Sequence, residues 1–338
     1  MKRILPLLLI VVILVVVAVY LSGSDRFIKS TAVEQTDFAI DDTSAVGKII
    51  IADRSGRVAQ LKRKPGGWTV NDKYPAREDA IGVLLNTFLN VYIQRPVPKD
   101  AQEQVNTVMA AGSKKVEVYD NDGEWIKTWY VGHATMDKKG TYMLLETPEY
   151  GLSSAPFIMD MKGFIGMLNT RFFTDENEWR STLILSYPEM RLSSIQVEYP
   201  NEPESSFVIE YAGGNDIFLY TYDGNKFDDF DSSAVKDYML NYKLMGFENY
   251  RTGLTDLQVD SVRKTVPYQI ITVQDGTGRH EFKLWPKKAR EGAYSEEELA
   301  GEALDPERVY ASYNGGELAL AQRFQWDRFR APLKAFIE

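Results

Sequence analysis

Two different hairpin-bearing patterns occur twice in this chain, in the same order, and that ordered doubling restricts the fold more than composition does. The first is read in "KIIIADRSGRVAQLKRKPGGWTV", where β-branched runs are separated by "DRSG" and "KPGG", the Gly/Pro/Asp punctuation of hairpins. Asp79 then stands where a helix cap is expected, and Ile81, Leu84, Leu85, Phe88 and Tyr92 fall on one helical face. Laid without gaps on Ser233, "DAIGVLLNTF" covers "SAVKDYMLNY", matching Ile81, Leu84, Leu85 and Phe88 to Val235, Tyr238, Met239 and Tyr242. In the same register Trp68 meets Tyr222, so the strand before the helix is expected to repeat as well.

The second pattern pairs "KKVEVYDNDGEWIKTWYVG" with "YQIITVQDGTGRHEFKLWP", ending in Lys127-Thr128-Trp129 and Lys283-Leu284-Trp285. Beyond it, Tyr142, Phe157 and Asp160 match Tyr310, Phe324 and Asp327 after one gap, and the two aspartates read as helix caps. The order A-B-A′-B′ places a boundary near "TDENEWRST", Thr174 to Thr182. The expected fold class is α+β: two tandem, duplicated domains of antiparallel β-hairpins with short helices, residues 37–173 and 182–338.

The first residues constrain location. "MKR" precedes "ILPLLLIVVILVVVAVYL", Ile4 to Leu21, an uncharged apolar run long enough to cross a bilayer. The expectation is an N-terminal transmembrane anchor over residues 1–24, a juxtamembrane linker over 25–36, a cytoplasmic N-terminus and domains outside. Cleavage of a signal peptide after Ser24 is the alternative, since "SGS" offers small residues there, but the apolar core exceeds a usual h-region. The chain has no cysteine, which removes lipoprotein acylation, disulfides and thiolate chemistry together and suits a bacterial envelope. A net charge of −9 argues against nucleic acid, because no Lys/Arg stripe neutralises phosphates.

The stretch "GKIIIADRSGRVAQLKRKPGGWTVNDKYPAREDAIGVLLNTFLNVYI" after an anchor resembles the bacterial family called domain of unknown function 4340. The resemblance is carried by an Ile-rich strand, a hairpin into a basic strand, Gly66-Gly67-Trp68, a polar turn and a helix opening with Asp79-Ala80. It implies an envelope-associated protein without an assigned activity, in a family often encoded beside ABC-type permeases and gliding-motility-like auxiliary subunits. It supplies no functional residue to carry over.

Chemistry-bearing patterns are weak. His133 in "VGHATMD" and His280 in "GRHEFKL" lack a second histidine at metal spacing, and each reads as a strand or turn histidine. The acidic stretch "YDGNKFDDFDSS", Asp223 to Ser233, offers carboxylates for calcium but fails the EF-hand order, because Gly224 follows the first Asp directly; a turn and a helix cap are the expectation. Gly66-Gly67, Gly213-Gly214 and Gly315-Gly316 lie between strand-like runs and read as turns, not phosphate cradles. "GLSSAPF" lacks the Gly-x-Ser-x-Gly elbow, and the pairs Glu176/Glu178 and Asp228/Asp229 do not select a glycosidase geometry. Aromatics are abundant: Trp125, Trp129 and Tyr130 in one strand, and Tyr211, Phe218, Tyr220 and Tyr222 around another, where alternation sends one set inward and the other outward.

No catalytic, cofactor-binding or metal-binding residue is therefore selected. The expected function is a non-enzymatic accessory or scaffold subunit of the bacterial inner membrane, single-pass with periplasmic domains, contacting a membrane complex such as an ABC-type permease. A periplasmic glycan- or peptide-binding module is the alternative, and a hydrolase with an unrecognised site the third reading.

Overall fold

Strand β1 (Val46–Ala52) shows how these sequences make sheets: Ile49 and Ile51 are fully buried, while Lys48 and Ile50, alternating with them, are half-exposed. The structure, a computed structural model, describes residues 36–295 and 303–337. The apolar segment Ile4–Leu21, nearly all of the linker and the position after Ser24 lie outside these residues. No helix among the described residues is long and apolar enough to cross a membrane. The fold is α+β and mostly antiparallel, and the chain divides into two units between Ser181 and Thr182.

In the first unit β1 is followed by β2 (Val58–Lys64), β3 (Gly67–Val70), β4 (Tyr74–Pro75), helix α1 (Glu78–Asn90), β5 (Val91–Pro96) and helix α2 (Lys99–Gly112). Then come β6 (Lys114–Asp120), β7 (Trp125–Ala134), β8 (Thr141–Thr147), β9 (Gly151–Leu152), β10 (Phe157–Met161) and the short helix α3 (Glu176–Trp179). One sheet runs β4-β3-β2-β1-β6-β7-β8-β10-β5, with β9 on β8. The β1–β2 turn is closed by Asp53, whose carboxylate accepts from the Ser55 amide (2.9 Å) and from Thr174 Oγ1 (2.6 Å), while Gly56 takes φ +83°.

Alternation along β7 feeds two cores. Trp129 packs edge-on to Phe88 of α1 (centroids 4.8 Å) and to Phe172 (6.1 Å), in the core that also holds Ile81, Leu84 and Trp179. Its neighbour Tyr130 faces the other way, into a smaller cluster with Tyr142, Ile158 and the α2 residues Val105 and Met109. The sheet is thus covered on both faces, by α1 on one and α2 on the other.

The second unit contains β11 (Leu183–Ser186), β12 (Leu192–Glu198), β13 (Phe207–Gly213), β14 (Asp216–Thr221), α4 (Ser232–Leu240), β15 (Leu244–Gly246) and α5 (Asp256–Lys264). It continues with β16 (Gln269–Asp275), β17 (Gly278–Lys288), β18 (Leu304–Tyr313), β19 (Leu318–Gln322) and α6 (Arg323–Trp326). Its main sheet runs β14-β13-β12-β16-β17-β18-β19, and β11 pairs with β15. This is the order β3-β2-β1-β6-β7-β8-β10 of the first unit, element for element. A bulge recurs too: register shifts between Val46 and Lys48 opposite Asp120, and between Leu192 and Ser194 opposite Asp275. Here α4 covers the main core with Val235 and Tyr238, and α5 covers the other face, where Val259 and Val262 meet Trp285, Tyr310 and Leu320.

Strand register corrects several residue matches. The pairs Val118/Lys127 and Val273/His280 occupy the same place in the two sheets, so Trp129 corresponds to Phe282 and Trp285 to Gly132. The two K-x-W endings are therefore three residues out of step, an odd number that puts Trp129 and Trp285 on opposite faces. Tyr142 and Tyr310 do correspond, each under the second helix, but Ile158 and Leu320 are their strand partners, which removes the match of Phe157 with Phe324. Tyr222 lies past the end of β14, 41% exposed; the inward positions equivalent to Trp68 and Val70 are Ile217 and Leu219. The chain between β14 and α4 is longer than that between β3 and α1, which a gapless alignment hides.

The caps also differ. Asp79 lies inside α1 and pairs with Arg77 (2.5 Å), the N-cap residue, while α4 is capped by Asp231, two residues before Ser233, accepting from the Ser233 and Ala234 amides (2.9 and 3.0 Å). Asp160 sits in β10, and Asp327 follows α6. Tyr92 leaves the α1 face because the helix ends at Asn90; it is exposed on β5, its hydroxyl donating to Asp160 (3.1 Å).

Trp129→Ala is expected to destabilise the first unit by roughly 3–5 kcal/mol through lost burial and a cavity. Trp125→Ala, on the same strand but half-exposed, should cost less than about 1 kcal/mol. Calorimetry of the intact chain checks both values.

Candidate functional site

The second unit concentrates its titratable groups at two places. The first is the β16–β17 turn, where Asp275 accepts from the Tyr187 hydroxyl (2.7 Å), the amides of Thr277 and Gly278 (2.7 and 3.1 Å) and the Thr277 hydroxyl (2.7 Å). His280 Nε2 lies 3.1 Å from the same carboxylate, and its Nδ1 lies 2.8 Å from the Tyr313 hydroxyl. Burial works to raise the Asp275 pKa, but the bonds from Thr277, Tyr187 and His280 together hold it well below the usual carboxylate range. Burial and the bond to Asp275 push the Tyr187 hydroxyl up. Thr277, Gly278 and His280 belong to the turn and the start of β17, and Tyr187 reaches in from the β11–β12 connection, so the network fastens the turn to that connection and binds down its own histidine.

The second place is a cavity of about 280 Å³ lined by Tyr268, Pro286, Lys287, Leu304, Asp305, Arg308, Val309, Arg323 and Arg330. Tyr268 lies just before β16, Lys287 at the end of β17 and Arg308 on β18, while Arg323 opens α6 and Arg330 follows it. Asp305 is 3% exposed and fully engaged: Lys287 Nζ donates at 2.5 Å, the Tyr294 hydroxyl at 3.1 Å, and the Glu307 and Arg308 amides at 2.9 Å each. Arg308 is committed as well, forking onto Glu248 through Nε (2.9 Å) and Nη2 (3.1 Å) and reaching Glu307 (2.8 Å). Its pKa is raised chiefly by the Glu248 bond.

Three groups in the cavity keep spare donors among the described residues. Arg323 makes one long bond, to the Asp305 carbonyl (3.4 Å). Arg330 lies 5.9 Å from the Tyr268 ring centre and has no carboxylate partner. The Tyr268 hydroxyl has no hydrogen-bond partner, and burial, with the Asp327 charge adding, pushes it up to about 12 against the pull of Arg323 and Arg330. What remains is positive charge and donors beside the apolar surface of Tyr268, Leu304 and Val309.

No family model, curated protein or solved structure matches this chain. The site therefore stands on its geometry.

The residues considered from sequence lie elsewhere. His133 is exposed on β7 and rests on Tyr142 (4.9 Å), within the first unit. Of the acidic stretch, Asp223 is bound by Thr221 and Asn225 in a turn, Asp231 caps α4, and Asp228 and Asp229 are exposed. No group of three His, Cys, Asp or Glu that could hold a metal occurs among the described residues. Ser153 exchanges bonds with the Leu145 backbone, and Glu176 accepts from Asn71 (2.6 Å). The glycine pairs sit at strand turns, Gly66 at φ +91° and Gly214 at φ +60°. Sequence reasoning passed over the cavity; its one local trace is "RFQWDRFR", three arginines in eight residues, Arg323, Arg328 and Arg330.

The Asp275 network gives a pH dependence with a defined sign. Its folded pKa is depressed, so its stabilisation is present above the unfolded value of 3.8 and is lost as pH falls below that. Asp275→Asn is expected to cost roughly 1–3 kcal/mol at neutral pH and to make the thermal midpoint of the second unit less steeply acid-sensitive. Calorimetry across pH 7 to about 3 reads both effects.

Proposed function

We propose that this is a non-enzymatic, single-pass protein of the bacterial inner membrane whose two units stand on the periplasmic side as copies of one duplicated unit. It acts as an accessory or scaffold subunit contacting a membrane complex such as an ABC-type permease. The observation that carries the reading is the common strand order with its recurring bulge, which gives two similar frames and so two comparable surfaces on one chain. The chemistry supports a structural role: the carboxylate of Asp275 and the imidazole of His280 are engaged by the turn itself, by Tyr313 of β18 and by Tyr187 of the β11–β12 connection, and hold the hairpin closed. The anchor part rests on Ile4 to Leu21, and the choice of partner on the resemblance to domain of unknown function 4340 alone.

A second reading, a periplasmic glycan- or peptide-binding module, draws support from β14. There Ile217 and Leu219 take the core positions, leaving Phe218 and Tyr220 half-exposed on the opposite face, with Lys226 4.5 Å from the Phe218 ring.

The intact chain, solubilised in mild detergent at native abundance, is expected to co-purify with integral membrane subunits; recovery of the chain alone overturns the accessory role. N-terminal sequencing of the mature protein should find Ile4–Leu21 retained, and a start at Asp25 overturns the anchor.

A further inference from the structure

We propose that the cavity between β17, β18 and α6 binds a small molecule bearing one oxyanion group, a carboxylate or phosphate monoester, attached to an apolar body. The inference does not depend on the anchor, the partner or the duplication. It follows from which charges in the cavity are already spent. Lys287 is consumed by Asp305 and Arg308 by Glu248, at 2.5 Å and 2.9 Å. Arg323 and Arg330 have no such partner among the described residues, yet both line the same cavity as Tyr268, whose hydroxyl has no hydrogen-bond partner among those residues either.

Two guanidinium groups and a hydroxyl donor around one concavity match an oxyanion, which offers several acceptor lone pairs and the negative charge that two arginines lack. The ring of Tyr268 and the side chains of Leu304 and Val309 supply the surface for the ligand's apolar part. The cavity volume of about 280 Å³ suits a small ligand and not a polymer. A chain with net charge −9 repels anions in general, so local positive charge here is selective for a group that can enter the cavity.

Comparison of the two sheets isolates the feature. The position of the first sheet that corresponds in register to Tyr268 holds Ser113, so the ring is not present there. The Tyr268 ring is thus the second frame's own, laid beside strands whose pairing is shared.

The test is isothermal titration of the full-length protein in detergent with benzoate and phenyl phosphate, using phenol as the neutral comparison. Saturable binding of at least one anion, no saturable binding of phenol, and weakening with added salt are expected. Arg323→Gln with Arg330→Gln should weaken that binding by roughly tenfold or more, while exposed Arg191→Gln leaves it unchanged. The second unit's thermal transition, measured without ligand, reports whether the double variant is folded; if it is not, Arg330→Gln alone carries the comparison, since Arg330 is exposed and lies 5.9 Å from the Tyr268 ring centre. Tyr268→Phe keeps the ring and should weaken binding less than loss of the arginines. Failure of both anions to bind the wild type, binding equal to that of phenol, or undiminished binding to the folded arginine variant overturns the proposal.

Discussion

Each unit depends on one antiparallel strand, β7 or β17, that must bury side chains on both of its faces. Antiparallel sheets often leave one face to water, and their strands then alternate cleanly between apolar and polar residues. Here that alternation is replaced by two apolar sets. Trp129 and Val131 of β7 enter the main core while Tyr130 enters the cluster beneath α2; in β17, Phe282 and Leu284 enter the main core while Trp285 meets the side of α5. A sheet with this requirement needs a helix on each side, and each unit supplies them in the connections that cross between strands not adjacent in the sheet.

The same requirement explains what could be read from the sequence. Hairpins announced themselves through turn chemistry: "DRSG" became the β1–β2 turn and "KPGG" the β2–β3 turn, since both need an Asp that accepts local amides or glycines at positive φ. The α1 face was legible in Ile81, Leu84 and Phe88, and so was its counterpart Val235, Tyr238 and Tyr242, because helical periodicity survives small shifts in the helix boundaries. The K-x-W similarity misled because a strand has a period of two. Identical letters three positions out of step lie on opposite faces, and only the hydrogen-bond ladder reveals the step. Caps misled for a related reason: "EDA" and "DSSA" both carry acids near a helix start, but Asp79 lies inside its helix and pairs with Arg77 while Asp231 stands at the N-cap and reaches the free amides.

The cavity was illegible because its character is a difference, not a motif. Lys287, Arg308, Arg323 and Arg330 are spread over two strands, a short helix and the segment after it, and nothing in their spacing says that two of the four are neutralised by Asp305 and Glu248. Conversely, the Asp275–His280–Tyr313 chain looks like working chemistry in a list of contacts. Its acceptors are used to hold a turn, as Asp120 at the equivalent place in the first sheet accepts the Asp122 and Glu124 amides at 2.9 and 2.8 Å. An aspartate holds the equivalent turn in each sheet, and in the second a histidine joins it.

The central physical claim is that the chain contains two similar frames, each organised around its own doubly covered strand. Native-state hydrogen exchange of the full-length protein tests it directly, because slow exchange marks the part of a structure that opens last. Two separate centres of protection are expected, one over β1, β6 and β7 and one over β12, β16 and β17, with β4, β9 and β14 exchanging faster at the margins. A single protected centre confined to one unit, or slowest exchange on the edge strands, would contradict the account.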